Sequence, residues 1–493
     1  MRKLEELQMN LEEEDISRIQ FDPRSRDEIP KLLEGLKYLY CTPLIKKEVF
    51  KILEEITPKE VNTDNGRPGM TLWKILVLGT LRLNCNWDFD KVHEIANQHK
   101  TLRRMLGHGF LDDNKEYAIQ TIKDNVQLLT PEILDRINEI VVKEGHKLMM
   151  GKKKEKIKAS CDSFVVKTDV HYPTDINLLF DAIRKLIECI GLFCKKQEIS
   201  DWRQNKHNLK VIKRSFRKCQ NIRHAHSKNP EKKAEGKKRV EEAHEEYLWL
   251  AKEFLIKALQ TMEKEPVIAI SMSELLTLRI EIEKYIQHAE RQIDQIRRRV
   301  IEGKVIPHEE KVFSIFEEHT EWIVKGKAGI RQELGHLVAV VKDQFNLILN
   351  HRVMEKEKDV EIAVSFISET KKRYPDLVSC SFDRGFYSLE NKEKLGQILD
   401  QVTLSKRGKL SFAEKELEAS EIFLEAKRKH SAVESSISAL ENHGLDRCLD
   451  YGISGYKRYV SLAVLARNIQ IVGHWIQKKR LKKRRKEKWK QAA

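Results

Sequence analysis

Three acidic residues stand where they could do chemistry together. Asp162 lies in a segment of alternating apolar and polar residues, on the face opposite Cys161. Asp383 ends a second segment of the same kind, and Glu434 borders the apolar stripe of a late helix. Carboxylate oxygens are the ligands that Mg²⁺ prefers. The three residues therefore predict a site for two Mg²⁺ or Mn²⁺ ions, the arrangement that catalyses phosphodiester displacement.

Taken singly, each of these residues has an ordinary explanation. An Asp at a strand end such as Asp383 often caps the following turn, and a helical Glu such as Glu434 is normally solvated. The metal site is predicted from their joint placement on the first strand, the fourth strand and the last helix of one sheet.

The order of predicted elements supplies that sheet. From Lys154 the apolar period changes from 3.6 to 2, which indicates a strand. Strands are predicted at 157–170, 321–324, 337–342, 345–353, 377–383 and 402–404, with helices at 360–367, at 391–399 and onward to 476. Three antiparallel strands followed by alternating helix and strand is the layout of a ribonuclease-H-like mixed sheet. The predicted fold class is therefore α/β.

The remaining segments predict an all-α N-terminal domain and a long all-α insertion. The expected domains are 1–150, a catalytic domain of 151–182 plus 305–476, the insertion 183–304, and a basic tail 477–493. Short helices between Thr71, a candidate cap, and Leu106 are compatible with a helix-turn-helix DNA reader or with a small packing or dimerisation domain. Asn229 and Pro230 predict a hairpin turn between two long helices of the insertion.

Charge indicates a polyanionic partner. The 493 residues hold 92 Lys and Arg against 76 Asp and Glu, a net charge of +16. Residues 195–239 contain sixteen Lys or Arg against four acidic residues, and 478–490 contain ten in thirteen. Such segments predict phosphate contacts with DNA, made in the first by Lys210, Lys213, Arg214 and Arg217 and in the second by a disordered arm. The alternatives are a solvated helix face and a tail that only aids solubility.

The cysteines and the N-terminus indicate where the protein works. The eight cysteines are scattered without a Cys-x-x-Cys pair, which favours reduced core thiols over disulfides or zinc ligands. No apolar run is long enough for a membrane span, and Met1 to Asp15 is acidic and lacks the apolar core of a secretory signal. We expect a soluble cytoplasmic protein, associated with the bacterial nucleoid when it is bound to DNA.

Four blocks resemble the DDE transposases of bacterial insertion sequences. Residues 161–175 look like the first-aspartate block, 381–386 like the second-aspartate block Asp-x-Gly-aromatic, and 430–448 like the glutamate helix of the group labelled ISNCY. Residues 316–328 are similar to the second-strand region, and 66–106 resemble weakly the N-terminal domain. Lys427, His430 and Glu441 stand where related families often carry Tyr, Arg and Lys.

The resemblance implies a transposase that cleaves and joins DNA at the ends of its own mobile element. Asp162 and Asp383 would bind the metal pair, and Glu434 would complete the second ion's shell. Its partners would be double-stranded DNA, as terminal inverted repeats and target, and a second copy of the chain. A structure-specific nuclease of the same fold and a non-catalytic DNA-binding protein remain as alternatives. The candidates for phosphate contacts near the site are Lys325, Lys327, Arg384, Lys406 and Arg428.

Overall fold

The structure is a computed structural model that describes residues 15–57, 69–109, 115–151, 155–222, 229–264, 272–324 and 332–492. The chain divides into two compact units. The first comprises Met1–Asp169 and Glu321–Ala493, and the second comprises Val170–Thr320. No described helix is both long and apolar enough to cross a lipid bilayer.

A mixed sheet lies in the first unit. Its strands follow the path β2-β3-β1-β5-β6, with β4 paired to β3 and β7 paired to β1. The pairs β1/β3, β2/β3 and β3/β4 are antiparallel, whereas β1/β5, β5/β6 and β1/β7 are parallel. The seven strands are β1 Ile157–Thr168, β2 Glu321–Val324, β3 Gln332–Asp343, β4 Ile348–Met354, β5 Leu377–Phe382, β6 Gln401–Leu404 and β7 Arg447–Cys448. The predicted mixed α/β fold is confirmed at this level.

The hairpin between β3 and β4 shows how far the predicted strand limits were right. The sequence placed the second arm from Phe345, but β4 begins at Ile348. The side chain of Asp343 accepts hydrogen bonds from the backbone N–H of Phe345 and Leu347, and Asn346 adopts a positive φ of 67°. These local bonds close the turn before the second strand can start.

Helices cover the sheet and complete the first unit. Before β1 they are α1 Ile29–Cys41, α2 Pro43–Glu54, α3 Leu72–Asn84, α4 Phe89–Gln98, α5 Lys100–Met105, α6 Ile119–Val126 and α7 Pro131–Met150. After β4, the helices of the first unit are α12 Asp359–Arg373, α13 Leu389–Ile398, α14 Phe412–Ala419, α15 Glu421–His430, α16 Ala432–Leu440 and α17 Gly452–Ala492.

The N-terminal helices do not form the separate 1–150 domain that the sequence predicted. Their described residues share one hydrophobic core with the sheet and with α17. The reason lies in α3, which is buried on all sides from Ile75 to Asn84 and so needs neighbours all round. Within this core Arg82 forms an ion pair with Asp450 at 2.7 Å.

The predicted helix-turn-helix is not supported by the side chains of its last helix. Helix α5 has only six residues, and Arg103 on it is buried. The Arg103 guanidinium donates to the carbonyl oxygens of Asn97 and Lys115, so it is committed to the fold. At the earlier cap, Thr71 precedes α3, yet its side chain makes no capping hydrogen bond, whereas Asp88 does cap α4.

The basic tail also departs from the prediction of a disordered arm beginning at 477. Helix α17 runs without a break from Gly452 to Ala492. Its first half is held in the core by residues such as Tyr456 and Ile469, and Gln477 is still buried. Lys and Arg are good helix formers, so a helix anchored by its first half continues through the basic segment.

The second unit is an α-helical bundle in its described residues. Its helices are α8 Asp175–Lys196, α9 Asn205–Asn221, α10 Pro230–Met262 and α11 Met272–Ile296, and α11 ends in a π-helical turn, Arg297–Ile301. Asn229 caps α10, as the predicted turn required. The expected insertion limits of 183 and 304 were too narrow, because α8 begins at 175 and the unit extends to Thr320.

Candidate active site

The sheet brings the two predicted aspartates together. In the parallel pair of β1 and β5, Cys161 is the partner of Phe382. Asp162 follows Cys161 on β1, and Asp383 follows Phe382 at the end of β5. The two aspartates therefore lie side by side. Cys161 and Phe382 are buried on the opposite face, which directs both carboxylates to the polar face of the sheet.

Asp162 is the most electrostatically perturbed of the three predicted ligands. Burial raises its pKa to about 7, and the charges of Asp383, Asp359 and Glu434 add to the shift. The backbone N–H of Ser163 donates to Oδ1 of Asp162 at 2.7 Å, and this hydrogen bond acts to lower the pKa. A carboxyl group with such a pKa lies in a region that lacks compensating positive charge.

Glu434 reaches the same region from helix α16. The helix is held against the core by Val433, Ile437 and Leu440, while Glu434 itself is exposed. The ammonium of Lys342 donates to the carbonyl of Ala432 at 2.8 Å and fixes the start of the helix to strand β3. Asp383 and Glu434 therefore both lie within electrostatic range of Asp162.

Asp359 is a fourth carboxylate of this cluster, and sequence reasoning missed it. It is the first residue of α12, and burial raises its pKa with a further contribution from Asp383. Its Oδ1 is buried and has no hydrogen-bond partner among the described residues. An acidic residue in the first turn of a helix is common, so the local pattern carries no signal for a site.

His430 lies beside the carboxylates and contacts the polar face of the sheet. Its Nδ1 lies 3.1 Å from the Ser381 hydroxyl, which in turn bonds the Ser160 hydroxyl at 2.9 Å. Burial lowers the pKa of His430, while Asp383 and Glu434 act to raise it. His430 is therefore a neighbour of the predicted ligands. It is also one of the positions at which this chain differs from the families that it resembles.

A divalent cation fits the chemistry of this cluster. Across the described ranges, none of Asp162, Asp359, Asp383 and Glu434 forms an ion pair with Lys or Arg. In the same residues no three His, Cys, Asp or Glu side chains are already close enough to hold one metal ion. The cluster thus has hard oxygen donors and unbalanced negative charge, which suit a divalent cation.

The five cations predicted to contact phosphates near the site have different positions. Arg384 directly follows Asp383 and Arg428 lies on α15, and both are exposed. Lys406 is not free, because its ammonium donates to both carboxylate oxygens of Glu414 at 2.8 and 2.9 Å. Lys325 and Lys327 lie outside the described residues.

The basic residues predicted on the insertion occupy one exposed side of α9 in the second unit. Lys210, Lys213, Arg214 and Arg217 are all exposed. None of the four forms an ion pair within the part of the chain that the structure describes. By contrast, the adjacent Lys218 is paired with Glu246.

Comparisons of the chain with models of protein families, with curated proteins and with solved structures gave no match.

Proposed function

We propose that this protein is a DDE-type transposase, which cleaves DNA at the ends of a mobile element and joins those ends to new DNA. One observation carries the proposal. Asp162 and Asp383 lie side by side on neighbouring parallel strands, with Glu434 in electrostatic range on the helix laid beside them.

The strand order supports the same proposal. Omitting the short β2 and β7, the sheet reads β4-β3-β1-β5-β6, antiparallel on one side of β1 and parallel on the other. This is the layout expected of a ribonuclease-H-like domain, and the three carboxylates lie on its first strand, directly after its fourth strand and on helix α16. Position in the sheet and residue type thus support one function together.

The proposed cofactor is a pair of Mg²⁺ or Mn²⁺ ions held by Asp162, Asp383 and Glu434. When bound, such a pair activates the attacking water or 3′-hydroxyl and stabilises the leaving oxygen. The protein's own contribution is to present the ligands. The Ser163 N–H holds Asp162 Oδ1, and the Gly385 N–H donates to Asp383 Oδ2 at 3.3 Å, which leaves one oxygen of each carboxylate without a backbone partner.

Double-stranded DNA is the proposed substrate and partner. Arg384 and Arg428 are exposed cations on the elements that carry Asp383 and precede Glu434, so they suit phosphates next to the cut. The exposed basic side of α9 suits phosphates further along the duplex. A pair of ends requires a pair of active sites, so we propose a homodimer on DNA, acting at the bacterial nucleoid.

The test is a cleavage and joining assay with the full chain. The substrate is DNA carrying the sequences that flank the gene on both sides, together with a supercoiled target plasmid and Mg²⁺. A transposase nicks the flanks at defined positions and joins them to the plasmid. Cleavage without joining would instead identify a nuclease, and DNA binding without cleavage would reject enzymatic activity.

A further inference from the structure

A second site lies behind the carboxylates, on the polar face of the sheet. Here a cavity of about 480 Å³ opens between the sheet and helix α15. Its volume falls in the range of roughly 300 to 1,000 Å³ that small-molecule sites occupy. Three neighbouring strands form its floor with the side chains of Lys158, Ser160, Ser379, Ser381, Gln401 and Thr403.

Lys342 gives the cavity a buried positive charge. Its side chain is only 4% exposed, and its ammonium donates to two uncharged oxygens, Asn346 Oδ1 at 3.0 Å and Ala432 O at 2.8 Å. No carboxylate of the described residues forms an ion pair with it. An ammonium has three N–H donors, so one remains, and a buried charge without a counter-charge is costly.

Burial lowers the pKa of Lys342 and the charge of Asp343 acts against that shift, but neither acidic residue on the cavity wall forms an ion pair with Lys342 among the described residues. Asp343 is held by His146 at 2.6 Å and by backbone N–H groups of the β3–β4 turn. Glu425 is paired with Lys429 at 2.5 Å. Lys158 lines the cavity as well and forms no ion pair among the described residues. Lys158 and Lys342 therefore remain as cations without a paired carboxylate, and the cavity favours an anion.

The uncharged groups suit a ligand larger than phosphate. The side chains of Ser379, Gln401 and Thr403 make no hydrogen bond within the described ranges, although Thr403 is only 5% exposed. Across from them α15 contributes the apolar side chains of Ile422 and Ala426. A flat polar ring fits between such walls, with its edge toward hydroxyl and amide groups and its face on aliphatic carbon.

We propose that this cavity binds one nucleotide, with the phosphate at Lys158 and Lys342 and the base against Ser379, Gln401 and Thr403. The same chemistry is presented by a free nucleoside monophosphate and by an unpaired nucleotide at a DNA strand end. The site is distinct from the metal cluster, and Ser160 and Ser381, which bond to each other and, through Ser381, to His430, lie between the two.

The test measures binding of deoxyadenosine monophosphate to the full chain by calorimetry in EDTA, which keeps metal-dependent cleavage out of the readout. Deoxyadenosine should bind at least roughly tenfold more weakly, because it lacks the charged group. Lys342→Met should weaken nucleotide binding by about tenfold or more. The matched control is Lys371→Met, a lysine outside the cavity whose ammonium bonds the Leu377 carbonyl, and it should bind as the wild type does.

A second variant keeps the test decisive if Lys342→Met fails to fold. Thr403→Val removes one hydroxyl without changing charge or volume, and should weaken the nucleotide about fivefold while leaving inorganic phosphate unaffected. Displacement of the nucleotide by a single-stranded oligonucleotide with a 5′-phosphate would identify a DNA strand end as the source, and no displacement would identify a free nucleotide.

Three results would overturn the proposal: no saturable nucleotide binding by the wild type, equal binding by the wild type and both cavity variants, or inorganic phosphate binding as tightly as the nucleotide. Each of these leaves the cleavage assay of the metal cluster unaffected, so the two proposals fail separately.

Discussion

Asp359 Oδ2 occupies the space that a side chain on residue 385 would need. A Cβ atom built on Gly385 would stand 2.7 Å from this oxygen. Gly385 belongs to the short 3-10 turn after Asp383, and Asp383 Oδ2 accepts the Gly385 N–H. A side chain at position 385 would therefore displace either the fourth carboxylate of the cluster or the turn that holds the second predicted metal ligand.

Gly385→Ala should for this reason damage both folding and catalysis. We expect a loss of about 1 to 3 kcal/mol in the free energy of unfolding, since Asp359 or the turn must move, together with a large loss of cleavage. Urea unfolding and the cleavage assay measure the two effects. The double variant Gly385→Ala with Asp359→Ala removes the clash and should recover most of the stability. A double variant no more stable than Gly385→Ala would contradict the steric explanation.

Removing one ligand charge at a time tests the metal cluster. Asp162→Asn, Asp383→Asn and Glu434→Gln should each reduce Mg²⁺-dependent cleavage by several orders of magnitude, because each removes a ligand charge and little volume. DNA affinity in a mobility-shift assay should stay near the wild-type value. Asp400→Asn is the control. This exposed residue does not belong to the cluster, and its carboxylate lies 3.6 Å from the ammonium of Lys156. A variant that still cleaves DNA at near-normal rate would remove its residue from the site.

The raised pKa of Asp162 predicts a pH dependence of stability without metal. Burial and neighbouring carboxylates bring this pKa to about 7, against 3.8 for an ordinary Asp. Between these values the folded state keeps a proton that the unfolded state has lost, so stability falls as pH rises toward 7. The loss from this group is at most about 4 kcal/mol.

Urea unfolding in EDTA at pH 5 and pH 8 tests this prediction. The free energy of unfolding of Asp162→Asn should fall less between the two pH values than that of the wild type, because the variant has no titrating group at 162. Equal falls in both proteins would show that Asp162 does not carry the effect.

Neutralising the exposed side of α9 should weaken DNA binding without regard to sequence. Gln at Lys210, Lys213, Arg214 and Arg217 should lower the salt slope of log affinity by up to about 3.6, since each phosphate contact contributes about 0.9. A second set of four Gln substitutions gives the same charge change on lysines that already have acidic partners: Lys237, Lys238, Lys264 and Lys284. If both sets change the slope equally, net charge and not this surface determines DNA binding.

The buried ion pair of the first unit predicts a large stability effect. Arg82 is 2% exposed and bonds Asp450, which Arg458 also binds at 2.9 Å. Arg82→Met should cost about 1.5 to 3 kcal/mol, because Asp450 loses one of its two guanidinium partners and keeps Arg458. Arg136→Gln breaks the exposed pair with Glu55 and should have a much smaller effect on the free energy of unfolding. Similar losses of unfolding free energy in the two variants would contradict this ranking.

Period and spacing predicted the sheet and two of its carboxylates for identifiable reasons. Strand β1 alternates apolar and polar residues from Ile157 to Asp162, so its period is visible in the sequence, and Asp383 follows a segment of the same kind. Asp359 escaped because its proximity depends on how α12 packs, which no local pattern encodes. Lys406 was predicted to contact a phosphate, but its ammonium is paired with Glu414. The capping box of α14 with Ser411 holds Glu414 in place for this pair.

The domain limits failed for a related reason. A helix that is apolar all round, such as α3, shows that it is buried but not which neighbours bury it. The basic end of α17 has a composition that fits both a disordered arm and a helix, and only the anchored first half decides between them. Long-range packing therefore determined what the sequence left open.

Gly335 lies between the two points at which the second unit is inserted into the sheet. On strand β3 it pairs with Lys167, near the end of β1, and with Glu321, the first residue of β2. The chain thus leaves the sheet after β1 and re-enters it at β2, and these two strands flank β3 at Gly335. The two points are two strand spacings apart, or roughly 10 Å. A linker of a few residues would span that gap. A whole bundle of helices could accordingly be gained or lost in one recombination event, with every strand register unchanged.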